Sequence, residues 1–295
     1  MTSEHIKDYV IFTDSTSDLP VNIIQENNIQ VIPMCFEIGE KKYMHYPDER
    51  EMNSHEFYDK LRVGSKSVTT LISIATYMAE FEPFIKAGKD IIYIAFSSAL
   101  SGTYNSSLIA AEELMHKYPE NRIICVDSRC ASVGEGLLVY TAALKKAEGL
   151  KIDELYEWLL EQRFHLCHWF TVDDLEHLRR GGRMTLMTAA IGTALNIKPV
   201  LHVDDEGRLI PVSKVRGRLK SLHALVAHME ETCIKPEEQI IFIGHGDSLK
   251  DAEILADMVR EKFAVKDVII NSISPIIGTH SGPGTIALFF FGTKK

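Results

Sequence analysis

The sequence predicts an α/β protein of two domains: an N-terminal, mostly parallel sheet with helices on both faces, then a C-terminal mixed sheet with helices. Two observations carry this. In the first half, apolar runs without alternation ("YVIFT" from Tyr9, "DIIYIAF" from Asp90, "RIICVDS" from Arg122) recur between stretches of helical spacing. Strands buried on both faces and joined by helices build a parallel sheet. In the second half, "KPVLHVDDEGRLIPVSKV" reads as two strands around a turn at Gly207, which is the signature of an antiparallel hairpin. The boundary is placed at 168/169, giving domains 1–168 and 169–295. No Pro- or Ser-rich linker separates them, so they are expected to pack together with a ligand between them.

Taken in order, "YVIFT" is the first strand, and "DSTSDLP" punctuates it before a helix beginning near Pro20. "IQVIPMCFEI" reads as one further strand. "NSHEFYDKLRVG" is a short helix capped by Asn53 or Ser54. Ile74, Tyr77, Met78, Phe81 and Ile85 keep helical spacing until Gly88 ends it. The polar turn "SSALSGTYNSS" feeds a helix with Leu108, Ala111, Leu114 and Tyr118 on one side, and "GEGLLVYTAALKKAEG" repeats the pattern. Beyond it, "HWFTVDDL" is a strand, and "EHLRRGGRMT" leads into an apolar helix over "LMTAAIGTALNI". After the hairpin come a helix from about Gly217 to Thr232, the strand "QIIFIGHG" and a helix from Lys250 to Phe263. The closing segment reads as two apolar strands around a bare, glycine-rich loop, "GTHSGPG".

A net charge of −9 argues against a general nucleic-acid binder, which needs a basic surface. The stretch from Thr171 to Lys220 is nonetheless +3, a local basic face suited to an acidic partner or a phosphate. No apolar run is long enough to span a bilayer, and the start is not a signal peptide. The five cysteines form no C-x-x-C pair, so reduced thiols in a cytoplasmic location are expected and a zinc site is not.

Three polar loops stand where buried strands end: "TDSTSD", "SSALSGTYNSS" and "GTHSGPG". Ligands of parallel α/β sheets sit at such strand ends. The serine-rich loop also precedes a helix, whose dipole suits an anion. Ser and Thr also cap helices and shape turns, so a shared anion site and plain loop chemistry stay open as alternatives. Walker A and G-x-G-x-x-G spacings are absent, as are G-x-S-x-G and H-E-x-x-H. What remains is anion-binding loops, much apolar surface and no visible catalytic machinery. A ligand with an acidic head and a long apolar body would suit both.

Together these motifs resemble the DegV family of fatty-acid-binding proteins, which includes the acyl-binding subunit of bacterial fatty acid kinase. The resemblance spans nearly the whole chain: "VIFTDSTSDLP", "SSALSGTYNSS", "VDSRCASVGEGLLV", "LRRGGRM", "KPVLHVDDEGRLIPVSKVRGRLKSL" and "GTHSGPGTIALFFFG", in that order. It implies a DegV-like two-domain fold with a long-chain fatty acid in a tunnel between the domains, and no further cofactor. By resemblance, Thr69, Ser97, Ser98, Thr279 and His280 hold the carboxylate, while Arg180 and Arg183 meet the kinase partner or the acyl phosphate. The protein would then be a cytoplasmic carrier with no catalytic residues and no metal. It would present its acid to a separate kinase, with transient membrane contact allowed. The chain departs from the family at "TTLIS" (Thr69 to Ser73), where "TSQPS" is usual. The alternative reading is an enzyme, either a Ser/Thr hydrolase or a phosphotransferase related to dihydroxyacetone kinases.

Overall fold

Strand β1 (Tyr9–Asp14) is buried along its whole length. In the computed structural model, which describes residues 7–173, 175–184 and 196–295, it lies inside a four-stranded parallel sheet. The order is β2 (Gln30–Ile32), β1, β6 (Asp90–Ala95), β7 (Ile123–Asp127). Alternate residues of these strands serve two cores. Val10, Phe12, Ile91 and Tyr93 meet helices α3 (Ile74–Lys86) and α4 (Thr103–Lys117). Ile11, Ile92 and Ile94 meet α5 (Val133–Ala147) and α6 (Ile152–Gln162). Burial on both faces is why these strands read as unbroken apolar runs.

A six-stranded mixed sheet covers the far side of α5. Its order is β10 (Leu209–Arg216), β9 (Ile197–Val203), β8 (Leu166–Thr171), β13 (Ile286–Phe291), β11 (Ile240–His245), β12 (Asp267–Ser272). The β9–β10 pair is the expected hairpin. The three closing phenylalanines divide by the strand's period of two: Phe289 faces α5, and Phe290 faces helices α8 (Arg218–Thr232) and α9 (Leu249–Lys262).

Some elements differ from expectation. "IQVIPMCFEI" is two strands, because Pro33 has no N–H for a ladder. β2 stays in the parallel sheet, while β3 (Met34–Ile38) centres a three-stranded antiparallel sheet with β4 (Lys41–His45) and β5 (Ser67–Thr70). β4 and β5 are short and partly exposed, so they carry little apolar signal. Helix α6 was not foreseen either. The loop expected at "GTHSGPG" is mostly helix α10 (Pro275–Ser281). Proline suits a first helical turn, and Gly282 at φ 79° ends the helix in a backbone region that only glycine adopts freely. The helix expected over residues 186–195 lies outside the described residues.

Two glycines of α5 set the spacing of the layers. A Cβ at Gly134 would strike the Phe289 ring, and one at Gly136 would strike the Ser17 carbonyl oxygen. Backbone yields less readily than a side chain, so Gly136→Ala should cost about 1–3 kcal/mol, as other overpacked sites do. Urea unfolding checks this: an unchanged midpoint would mean that the helix has room to move.

Candidate ligand-binding site

A cavity of about 190 Å³ lies where the end of β6, strand β5, helix α10 and the inner face of the six-stranded sheet meet. A single water needs only roughly 10–15 Å³. Most of the wall is apolar, with Met34, Phe96, Phe170, Leu178, Leu209 and Ile276 contributing.

The polar groups include a cluster made by two short elements. On β5, alternation turns Ser67 and Thr69 to one side and leaves Thr70 exposed. Ser67 Oγ meets Thr279 Oγ1 at 2.8 Å, and Thr69 Oγ1 meets His280 Nε2 at 2.9 Å. β5 is thereby fastened to α10. Arg183 reaches the same cavity from beyond helix α7 (Glu176–Arg180). Its Nε donates to the Leu100 carbonyl at 3.0 Å and its Nη1 to the Gly181 carbonyl at 2.6 Å. No carboxylate pairs with it among the described residues. The glycines of "RRGGR" have a packing role here: a Cβ at Gly181 would strike His280 Nδ1.

Burial, with Arg183 and His177 nearby, pushes the His280 pKa down to about 4. Burial likewise lowers that of Arg183. The imidazole is therefore neutral at pH 7 beside a half-buried guanidinium that lacks a counter-anion. An anion placed here would pair with Arg183, accept hydrogen bonds from Thr69 or His280, and raise the histidine pKa.

Of the residues named by resemblance, Thr69, His280 and Arg183 line the cavity. Thr279 stands behind them, its hydroxyl donating to the Pro275 carbonyl at 2.7 Å. Ser97 is fully buried and donates to the Gly207 carbonyl at 2.9 Å. Ser98 donates through its amide and hydroxyl to Asp127, at 3.1 and 2.5 Å. These two serines fix the loop whose later members, Ser101 and Gly102, line the cavity. The Ser101 amide donates back to the Ser97 carbonyl at 3.1 Å, a turn that brings residue 101 round. Arg180 is exposed and touches His177. Sequence reasoning missed Ser101, which lay within the quoted serine loop, and Ser281, whose buried hydroxyl has no partner among the described residues. It also missed that Arg183 faces inward.

A family model described as "Uncharacterised protein, DegV family" matches residues 8–293. The chain belongs to the DegV family. A DegV domain-containing protein of Clostridium perfringens is 48% identical over 290 residues, covering 98% of this chain and 99% of that one. One from Lactococcus lactis is 35% identical over 287 residues, covering 97% and 99%. Among solved structures, a fatty-acid-binding DegV family protein of Thermus thermophilus superposes with TM-score 0.88 at 26% identity, covering 97% of this chain and 99% of that one. DegV of Bacillus subtilis, a fatty acid binding protein, gives 0.84 at 26% identity, covering 96% and 98%. The fold is thus the α/β fold of fatty-acid-binding DegV structures.

The neutral state of His280 is directly measurable. In the unfolded chain an imidazole binds a proton near pH 6.5, whereas here it does so only near 4. The unfolded state therefore binds more protons across that window, and this residue's share of stability falls as pH drops through it. By NMR, the His280 ring carbons should not titrate between pH 8 and 5.5. Exposed His55, raised first by its hydrogen bond to Asp247, should titrate at higher pH than His280. A His280 midpoint above 6 would contradict the burial argument.

Proposed function

We propose that this protein binds a long-chain fatty acid where residues 1–168 meet residues 169–295. Its carboxylate would lie at the Thr69–His280 pair and its tail along the apolar wall. The observation that carries this reading is the grouping of Arg183, which has no carboxylate partner among the described residues, with Thr69 and His280 at a mostly apolar cavity. If Nε2–H donates to Thr69, the threonine hydroxyl is free to donate to the carboxylate. Ser101 supplies a further hydroxyl. Each buried methylene of the tail contributes about 0.8 kcal/mol, before ordering costs are subtracted.

The same pair tests the enzyme alternative. A threonine 2.9 Å from a histidine has the spacing of a nucleophile and its base. In such sites a third group orients the imidazole, yet His280 Nδ1 has no partner among the described residues. This favours a binding role. The acid would then be handed, in the cytoplasm, to a separate kinase that phosphorylates its carboxylate. Exposed Arg180, together with Arg183, would meet that partner.

Hydrogen bonds to charged groups are worth about 1.5–3 kcal/mol each. Thr69→Val with His280→Ala should therefore weaken oleate binding by roughly a hundredfold or more, as calorimetry would measure, while the fold stays intact by circular dichroism. Wild-type affinity in the double variant would remove the proposed head-group site. Incubation with ATP–Mg²⁺ and oleate should give acyl phosphate only when the kinase is added. Product from the isolated chain would instead favour the enzyme.

A further inference from the structure

A second recess, polar where the first is apolar, backs onto the wall of the fatty-acid cavity. Its volume is about 500 Å³. Three residue pairs form the shared wall. The Met34 amide donates to Ser15 Oγ at 2.9 Å, Ser132 Oγ donates to Asp18 Oδ2 at 2.6 Å, and Ile273 precedes Ser274 in the chain. The first named of each pair lines the apolar cavity and the second lines the recess. The recess opens beyond the carboxyl end of β1, where parallel sheets present ligands.

Its lining contains the carboxylates Asp18, Asp48 and Glu49, several serines, Asn271 and His45, and no Lys or Arg among the described residues. Asp48 is paired with Arg50 at the exposed rim, 2.7 Å away. Asp18 and Glu49 have no cationic partner among the described residues.

Two buried groups of this recess, Asp18 and Ser274, each have an oxygen without a hydrogen-bond partner among the described residues. His45 beside them is 6% exposed. Asp18 is 5% exposed with Oδ1 unpartnered, and Ser274 is 2% exposed with Oγ unpartnered. Folded proteins leave few such groups, because each costs its full desolvation. Burial lowers the His45 pKa to about 4, so its imidazole is neutral and offers an acceptor. A carboxylate oxygen and a neutral imidazole in one recess call for N–H or O–H donors.

We propose that this recess binds a small organic cation, a primary ammonium compound whose N–H groups donate to Asp18, His45 and the surrounding hydroxyls. The unpaired Glu49 carboxylate, and Asp18 whenever it is ionised, repel an anion such as phosphate. A metal ion needs ligand atoms that converge on a point. Among the described residues the one His/Asp/Glu trio that converges is His55, Asp59 and Asp247, outside the recess and already paired with Arg62. A neutral polyol would leave Glu49 without countercharge and would do nothing for the ionised form of Asp18, whose pKa burial pushes up to about 7.

The test uses the full chain and four probes: ethanolamine, choline, glycerol and inorganic phosphate. Ethanolamine should raise the melting temperature saturably and shift the His45 ring resonances, whereas choline, which has no N–H, should bind at least tenfold more weakly. His45→Leu and Ser274→Ala should each weaken ethanolamine at least tenfold and leave oleate affinity unchanged, since neither residue lines the apolar cavity. The proposal is overturned if ethanolamine leaves the His45 resonances of the wild type in place. It is also overturned if phosphate or glycerol matches ethanolamine, or if both variants bind ethanolamine as the wild type does. None of these readouts depends on fatty-acid binding.

Discussion

Helix α5 is the constraint on which the rest depends. It lies between the parallel sheet and the six-stranded sheet, and it has no room to shift toward either. Gly134 abuts Phe289 on one side, while Gly136 abuts the Ser17 carbonyl on the other. Glu135, between them, is completely buried and accepts hydrogen bonds from Thr13 and Thr16, both at 2.9 Å. The helix is thereby tied to the end of β1. Burial first, then nearby Asp14, raises the Glu135 pKa well above the usual carboxylate range. A protonated carboxyl avoids the cost of a bare buried charge.

This tie shapes both binding spaces. The turn after β1 is held by Asp14, which accepts from the Thr16 amide at 3.0 Å and from the Tyr93 hydroxyl at 2.7 Å. It delivers Asp18 to Ser132, at the start of α5, and so builds the wall between the apolar cavity and the polar recess. On the apolar side, α10 carries His280 against β5, and Gly278 lets α10 approach the helix Ser54–Arg62, because a Cβ there would crowd the Tyr58 hydroxyl. The polar cluster of the cavity is thus assembled from residues far apart in sequence, on elements too short to be stable alone.

That assembly explains what the sequence could and could not reveal. Long buried strands such as Asp90–Ala95 announce themselves, since every residue is apolar or capping. Strand β5, with its polar "SVTT", has no such signal and acquires its structure from β3 and α10. Histidine 280 was legible as a candidate through resemblance, but its neighbourhood was not. That Gly181 meets His280, and that Arg183 turns inward, depends on how the end of α7 docks on α10. The serines show the same limit. Ser97 and Ser98 looked like ligands, yet their hydroxyls serve Gly207 and Asp127, and position 101 faces the cavity. Residue type pointed to a loop that lines the cavity, and backbone geometry set which of its residues faces inward.

The most direct measurement is a crystal structure of the protein with bound oleate. The account predicts a carboxylate within hydrogen-bonding distance of Thr69 Oγ1 and His280 Nε2, beside Arg183, with the tail running past Phe170 and Leu209. A carboxylate at Ser97 and Ser98, or an acid bound outside this cavity, would contradict it.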